Sequence, residues 1–226
     1  MLIVFDCDGV IVDSEIIAAA VDAEFLTEAG YSVTPAEVNR RFAGLTSREI
    51  AAIVEGEIGR PLPDEFFESV RQETDLRLAT EVKAVPGIHE VLDRLDGSPR
   101  CVASNSSSER IAISLKKTLL YDRFAPYIFS AVEVGTREPK PSPNVYRYAF
   151  EQFAVAPRDA IVIEDSFPGV TAARAAGARV VGFTGASHTF PGHADLLTAA
   201  GAETVIRRLA DLPAVVEAMA AWAGMD

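Results

Sequence analysis

The sequence has little cysteine and comparatively little positive charge. Two cysteines occur among 226 residues, so a disulfide-stabilised scaffold is excluded. Both, Cys7 and Cys101, lie in short apolar runs that predict buried strands, and we expect reduced thiols. The 33 acidic residues outnumber the 21 basic ones and give a net charge of −12. This negative charge argues against binding to nucleic acids or anionic membranes, but it permits a small anionic substrate beside a local positive group.

Long apolar runs are also missing, since none approaches the ~20 residues of a membrane-spanning helix. The apolar run at residues 1–5 is cut short by Asp6 and Asp8, and no basic residue precedes it. It predicts neither a signal peptide nor a membrane span. The sequence has no internal repeat and no low-complexity tract. We therefore expect a cytoplasmic protein with one α/β core and an insertion of several dozen residues.

The order of the predicted elements indicates the fold class. Residues 15–80 contain no convincing strand, and four helices are predicted there. Asp13 or Ser14 caps the first, and the others begin near residues 35, 47 and 65. Beyond residue 85, helices alternate with strands predicted at 100–103, 127–130, 160–163, 180–183 and 204–206. Ser106 is the predicted cap of one of these helices, and another is predicted to begin at Asp195. With a first strand at 1–5, this alternation predicts a parallel, doubly wound α/β sheet carrying a helical insertion. Ligands bind such sheets beyond the carboxyl ends of the strands.

Four acidic residues follow two of the predicted strands. Asp6 and Asp8 come directly after the first strand and are two positions apart, so they point to the same side of an extended chain. Gly9 lies where the chain must then turn sharply. Glu164 and Asp165 follow the strand at 160–163. If the two strands are neighbours, the four carboxylates form one acidic pocket, and such oxygen ligands suit Mg²⁺.

An anion site is expected at the same sheet edge. Ser104 and Asn105 follow a third strand and precede a helix, where a hydroxyl and backbone N–H groups can bind an anion. Lys140 lies between prolines that stiffen its backbone, and it could neutralise both the acids and a phosphate. Alone, each signal has an ordinary interpretation as a helix cap, a turn or a solvated loop lysine. Their joint occurrence at strand ends favours a phosphate site.

At these positions the chain resembles the haloacid dehalogenase superfamily, in its subgroup of phosphatases and phosphomutases with a helical cap, such as β-phosphoglucomutase, sugar-phosphate phosphatases and phosphoglycolate phosphatases. The matching segments read DCDGVIVDSE (residues 6–15), SNS (104–106), KPSPNVY (140–146) and EDSFPG (164–169). The resemblance implies a Rossmann-like core domain, residues 1–14 and 82–226, and an inserted four-helix cap domain, residues 15–81.

The resemblance also implies a role for each site residue. Asp6 would be the nucleophile that becomes an aspartyl-phosphate, and Asp8 the general acid and base. Mg²⁺ would be held by Asp6, the backbone carbonyl of Asp8 and Asp165. Glu164 would either bind the ion directly or contact one of its ligands. The phosphoryl oxygens would be bound by three groups: Ser104, the Asn105 backbone and Lys140.

Substrate specificity is expected from the helical insertion. The segment at residues 41–48 is the predicted substrate loop, with Arg41, Gly44, Thr46 and Arg48 as candidates. Thr46 could instead only cap the following helix, and the two arginines could be solvated helix charges. His188 and His193 are expected in a loop near the site, without a metal role.

These inferences predict a Mg²⁺-dependent phosphatase of a small phosphorylated metabolite, a sugar phosphate or sugar-acid phosphate, working as a monomer or homodimer. A β-phosphoglucomutase-like mutase is the alternative within the family. The positions matching its cap histidine and basic pair are Ala18, Ala43 and Ser47, which favours hydrolysis. A non-catalytic binding protein on the same fold is the alternative from another class, and the pair Asp6 and Asp8 argues against it.

Overall fold

The computed structural model describes residues 1–42 and 47–223. A six-stranded sheet forms its centre, in the order β3-β2-β1-β4-β5-β6 with every neighbouring pair parallel. The strands are β1 Leu2–Phe5, β2 Arg100–Ser104, β3 Ile128–Ser130, β4 Ala160–Glu164, β5 Arg179–Phe183 and β6 Thr204–Ile206. The predicted α/β class is confirmed, and β1 and β4 are the neighbours that the acidic pocket requires.

Helices that follow the strands cover both faces of the sheet. They are α5 Ile88–Arg94, α6 Ser108–Lys117, α7 Tyr121–Phe124, α8 Asn144–Gln152, α9 Phe167–Ala175, α10 His193–Ala200 and α11 Leu212–Ala223. Alternate residues of β1 enter different apolar clusters: Ile3 and Phe5 belong to one, and Leu2 and Val4 to the other. Because successive side chains of a strand point to opposite faces, two separate cores make the sheet doubly wound.

Four helices lie between β1 and α5, as predicted. They are α1 Glu15–Glu28, α2 Pro35–Phe42, α3 Ser47–Ile58 and α4 Phe66–Glu81, and no strand occurs between them within the described ranges. They enclose an apolar cluster of their own, which includes Leu26, Phe42, Val54 and Phe66. The division into core and cap domains stays a prediction.

The helix starts differ from expectation in a few places. Ser107, not Ser106, caps α6, because its side chain accepts a hydrogen bond from the Arg110 N–H. The four-residue helix α7 was not predicted, since it is too short to show a helical period. Helix α10 begins at His193, two residues before the expected Asp195. In the described ranges, no helix combines the length and apolar character needed to cross a membrane.

Candidate active site

Asp6 and Asp8 lie at the carboxyl end of β1, in the middle of the sheet. The Asp6 N–H still donates to the Ile163 carbonyl at 3.0 Å, so the ladder between β1 and β4 ends at this residue. The chain then turns at Gly9, whose φ is +81°. A Cβ atom at Gly9 would lie 1.8 Å from Asp165 Oδ2. The predicted sharp turn is therefore confirmed, and it needs glycine both for its backbone angle and for this close approach.

Three buried carboxylates converge where β1 and β4 end. One oxygen from each of Asp6, Glu164 and Asp165 lies within 4.8 Å of the others. Burial raises the pKa of Asp6 well above its usual value, Lys140 lowers it, and the Glu164 charge raises it. Burial also raises the pKa of Asp165, followed by the charge of Glu164. The acidic cluster predicted from the strand ends is thus present, and its carboxylates destabilise one another's charge.

Lys140 is the cation buried in this cluster. Its Nζ donates to Asp6 Oδ1 at 2.6 Å, Glu164 Oε1 at 2.7 Å and the Ala103 carbonyl at 2.8 Å. Burial disfavours the ammonium, but the charges of Asp6 and Glu164 hold its pKa above the ordinary value. Asn105 fixes the Lys140 backbone, since its Oδ1 accepts the Lys140 N–H at 2.8 Å. All three ammonium protons are therefore used within the protein.

Glu164 connects Lys140 to the start of α9. Its Oε1 also accepts from the Tyr146 hydroxyl at 2.8 Å, and its Oε2 accepts from Ser166 N at 3.0 Å and Ser166 Oγ at 2.9 Å. The residue is completely buried. A Cβ at Gly169 would lie 1.8 Å from Glu164 Oε1, so a glycine is needed beside this carboxylate. Both oxygens of Glu164 are occupied by protein donors.

Asp8 has a different environment, made of hydroxyl groups. Ser14 Oγ donates to its Oδ1 at 2.7 Å. Ser106 Oγ and Ser104 Oγ donate to its Oδ2 at 2.8 and 3.1 Å. The structure therefore places Ser104 against Asp8, and Ser106, expected to be a helix cap, also serves Asp8. Ser14 was predicted only as a possible cap for α1, and no sequence signal linked it to Asp8.

Two histidines complete the site on the side of Asp165. His188 Nε2 lies 3.0 Å from Asp165 Oδ2, and His193 Nε2 lies 2.6 Å from the Asp165 carbonyl oxygen. The loop carrying His188 is tied to the first motif, because the Ser187 N–H donates to Asp13 Oδ1 at 3.1 Å. His188 is in the expected loop near the site, whereas His193 opens α10. No local sequence pattern predicts that either histidine contacts Asp165.

A cavity of about 580 Å³ lies over the sheet edge, between the carboxylates and helices α1–α4. Its walls include Ala18, the position that matches the mutases' cap histidine, and four residues of the helical insertion that were not predicted as site residues: Glu15, Asn39, Glu49 and Thr74. Burial raises the pKa of Glu15 to about 7, with a further contribution from the Asp8 charge. Arg110, from α6, also lines the cavity.

Two of the predicted specificity residues, Arg41 and Arg48, do not line this cavity. Arg41 is outside the cavity wall, because its guanidinium binds Glu57 and the Tyr31 hydroxyl. Arg48 is exposed and also outside the wall. This placement favours the alternative of surface helix charges for both arginines, and a substrate contact stays a prediction. Gly44 and Thr46 lie outside the described residues.

The donor set fits the predicted magnesium ion. Asp6, Glu164 and Asp165 offer only carboxylate oxygens, and the cluster is buried. Together with Asp8, this edge of the sheet carries four carboxylates and one ammonium, so negative charge is in excess unless a cation or protons compensate it. Hard divalent cations prefer such oxygen ligands, and Mg²⁺ needs only one or two carboxylates.

Comparisons with known proteins agree with this geometry. Residues 3–183 match the family model of haloacid dehalogenase-like hydrolases. A 6-phosphogluconate phosphatase of Escherichia coli (strain K12) is 31% identical over 188 residues, which are 83% of this chain and 84% of that protein. A phosphorylated carbohydrates phosphatase of Thermotoga maritima is 25% identical and covers 77% of this chain and 81% of its own.

Among solved structures, a haloacid dehalogenase-like protein from Agrobacterium tumefaciens is 51% identical, with a TM-score of 0.91 over 97% of this chain and 98% of its own. A family hydrolase from Deinococcus radiodurans, with bound phosphate and sodium, is 30% identical, with a TM-score of 0.82 over 97% of this chain and 96% of its own. Since the family model spans most of the sequence and the fold agrees over nearly all of it, the chain belongs to the haloacid dehalogenase-like hydrolase family, and its predicted enzyme class, phosphoric monoester hydrolase, is confirmed.

Proposed function

We propose that the protein is a Mg²⁺-dependent phosphatase of a small phosphorylated sugar metabolite that works through an aspartyl-phosphate on Asp6. The observation that carries this proposal is the contrast between two carboxylates at one cavity edge. Asp6 is held by the Lys140 ammonium, whereas Asp8 is held by hydroxyl groups. A pair of acids in unlike environments is suited to divide the roles of nucleophile and proton carrier.

The reaction follows from the positions of these two residues. Asp6 attacks phosphorus, so a bond forms from its carboxylate oxygen as the bond to the leaving oxygen breaks. Asp8 donates a proton to that leaving oxygen and becomes a carboxylate, which Ser14 and Ser106 stabilise. It then takes a proton from the water that attacks the aspartyl-phosphate. This second step releases inorganic phosphate and restores Asp6.

The acidic cluster would hold the metal ion at Asp6, Asp165 and the backbone carbonyl of Asp8. When bound, Mg²⁺ supplies positive charge that offsets the charge of the phosphoryl oxygens. We propose an indirect role for Glu164, because both of its oxygens are already occupied by Lys140, Tyr146 and Ser166. It would orient Lys140 and the start of α9.

The phosphoryl group would bind against Ser104, the Asn105 backbone and Lys140. The Lys140 ammonium and the Ser104 hydroxyl are both engaged with carboxylates in this structure. Phosphoryl oxygens that arrive at Asp6 would compete for these donors, and phosphoryl transfer depends mainly on such positioning and charge neutralisation.

The substrate class is proposed from the relatives together with the cavity. Two of the relatives are named for a sugar-acid phosphate and for phosphorylated carbohydrates. We place the core domain at residues 1–14 and 82–226 and the cap domain at 15–81, so that the cavity lies between them. The wall has Ala18 where the family's mutases are expected to carry a histidine, which favours hydrolysis over isomerisation.

The test is phosphate release from a panel of sugar phosphates, with Mg²⁺ and with excess chelator. Release should require Mg²⁺ and disappear in Asp6→Asn. With β-glucose 1-phosphate and a trace of the bisphosphate, free phosphate should be the main product. Full activity in chelator would refute the metal role, and glucose 6-phosphate forming ahead of free phosphate would establish the mutase instead.

A further inference from the structure

The half of the cavity that faces the helical insertion carries acidic and neutral polar groups. Glu15, Asn39, Glu49 and Thr74 come from α1, α2, α3 and α4 respectively, and each lines the cavity. Their carboxylate, amide and hydroxyl groups can accept or donate hydrogen bonds to sugar hydroxyls. Resting on the proposed phosphatase function, we propose that this wall selects phosphate monoesters of neutral polyols and discriminates against substrates with a second anionic group, such as sugar-acid phosphates and sugar bisphosphates.

The insertion has few cations to offer a second anion. Residues 15–81 contain no lysine and no histidine, and residues 43–46 read Ala-Gly-Leu-Thr. The arginines in the described part of the insertion are Arg40, Arg41, Arg48, Arg60, Arg71 and Arg77, and none of them lines the cavity. Four of the six bind protein groups, which include Glu57, the Ala29 carbonyl, Glu68 and Glu24. The remaining two, Arg40 and Arg48, are exposed.

Arg110 is the one arginine among the described residues of the cavity wall. Its Nε donates to Asp75 Oδ1 at 2.6 Å, and its Nη2 donates to the Arg71 carbonyl at 3.4 Å. This pair links α6 to α4. A carboxylate or second phosphate on the substrate would have to compete with Asp75 for the guanidinium, and the same cavity wall carries the carboxylates of Glu15 and Glu49.

The hydroxyl groups of a neutral substrate are not repelled by these carboxylates. A polyol can donate to the carboxylates of Glu15 and Glu49 and pair with the amide of Asn39, and bonds to a charged acceptor are the stronger kind. A second anion replaces these bonds with like-charge contacts in a partly enclosed cavity. We therefore expect a ~10–100-fold difference in kcat/KM between matched neutral and anionic substrates, which corresponds to ~1.4–2.7 kcal/mol.

The experiment compares sorbitol 6-phosphate with 6-phosphogluconate, open-chain esters that differ only in a CH₂OH or carboxylate at the far end. Assays run with Mg²⁺ at about pH 8, above the pKa of about 7 for Glu15. Sorbitol 6-phosphate should have the ~10–100-fold higher kcat/KM. Asn39→Arg should raise kcat/KM for 6-phosphogluconate but not for sorbitol 6-phosphate. Glu15→Gln should reduce the ratio of kcat/KM for sorbitol 6-phosphate to kcat/KM for 6-phosphogluconate. Glu28→Gln, an exposed residue of the same helix, is the matched control and should leave the ratio unchanged.

The outcomes separate this inference from the proposed function. An aryl phosphate reports on the phosphatase reaction without a sugar. If the aryl ester is hydrolysed but 6-phosphogluconate equals or exceeds sorbitol 6-phosphate, the selectivity is refuted and the phosphatase stands. If no ester is hydrolysed, the phosphatase proposal fails. The affinities of the two sugar esters for the Asp8→Asn variant, measured by calorimetry, test the selectivity without turnover. Tighter binding of 6-phosphogluconate than of sorbitol 6-phosphate would also refute the selectivity.

Discussion

Replacing Lys140 with methionine tests whether the buried ammonium stabilises the fold as well as the site. Lys140, Asp6 and Glu164 are 6%, 7% and 0% exposed. Lys140→Met keeps most of the side-chain volume but removes the donors at 2.6 Å and 2.7 Å from the two carboxylates. Breaking a buried ion pair by removing one partner costs about 3–5 kcal/mol. We expect a loss of this size in the free energy of unfolding, measured in chelator.

The stability lost in Lys140→Met should depend on pH, because the substitution changes the pKa of Asp6. Lys140 lowers the pKa of Asp6, which burial raises. The variant's Asp6 should therefore have a still higher folded pKa than the wild type. A raised carboxyl pKa gives stability that is present below the unfolded pKa, about 3.9, and is lost as pH rises through the folded pKa. The variant should lose more stability than the wild type between about pH 5 and pH 8.

The assay is unfolding by denaturant, followed by circular dichroism in the presence of chelator, at about pH 5 and at about pH 8. Lys117→Met, an exposed lysine at the end of α6, is the control and should change stability by less than about 0.5 kcal/mol. A loss below about 1 kcal/mol at pH 8 in Lys140→Met would refute the reasoning, because the carboxylates would then not depend on the ammonium.

Three further predictions concern the site and the insertion. Asp8→Asn should lower kcat on an alkyl phosphate by ~10²–10⁴-fold, measured as phosphate release; near wild-type turnover would exclude the acid–base role. Gly9→Ala should lose about 2 kcal/mol or more in denaturant melts, because its φ is +81° and its Cβ would lie 1.8 Å from Asp165 Oδ2. Gly56→Ala, whose Cβ meets nothing within 4 Å, is the control and should not destabilise. Burial raises the pKa of Asp22 to about 6, so wild-type stability falls as pH rises through that value. Asp22→Asn should match the wild type below about pH 4 and exceed it by about 1–2 kcal/mol at pH 8; equal melts at pH 8 would contradict this.

The acidic cluster could be predicted from sequence because it depends on topology alone. Parallel strands end at one sheet edge, so residues that directly follow β1 and β4 had to meet once those strands proved to be neighbours. The hydroxyls around Asp8 could not be predicted in the same way. Ser106 and Ser107 are adjacent and chemically identical, and only the path of the loop decides which one caps α6 and which one binds Asp8.

The helical insertion shows a second limit of sequence patterns. Its helices were predicted from caps and turns, but their rotation about their own axes was not. Arg41 and Asn39 are two positions apart on α2, so they point in different directions, and it is Asn39 that lines the cavity. The hydrogen bond from the Lys140 N–H to Asn105 Oδ1 joins residues 35 positions apart, and no local sequence pattern predicts it.

The two motif aspartates are two residues apart and line the same cavity, but they are attached to different elements of the fold. Asp6 remains attached to the sheet, through its N–H to Ile163 and its carboxylate to Lys140. Asp8 lies beyond the sheet and accepts a hydrogen bond from Ser14, the residue directly before α1. A displacement of α1 relative to the sheet would therefore change the Ser14–Asp8 hydrogen bond, whereas the contacts of Asp6 with Ile163 and Lys140 do not involve α1. In the proposed mechanism, the nucleophile would therefore be anchored to the sheet, whereas the proton carrier would be coupled to α1 through Ser14.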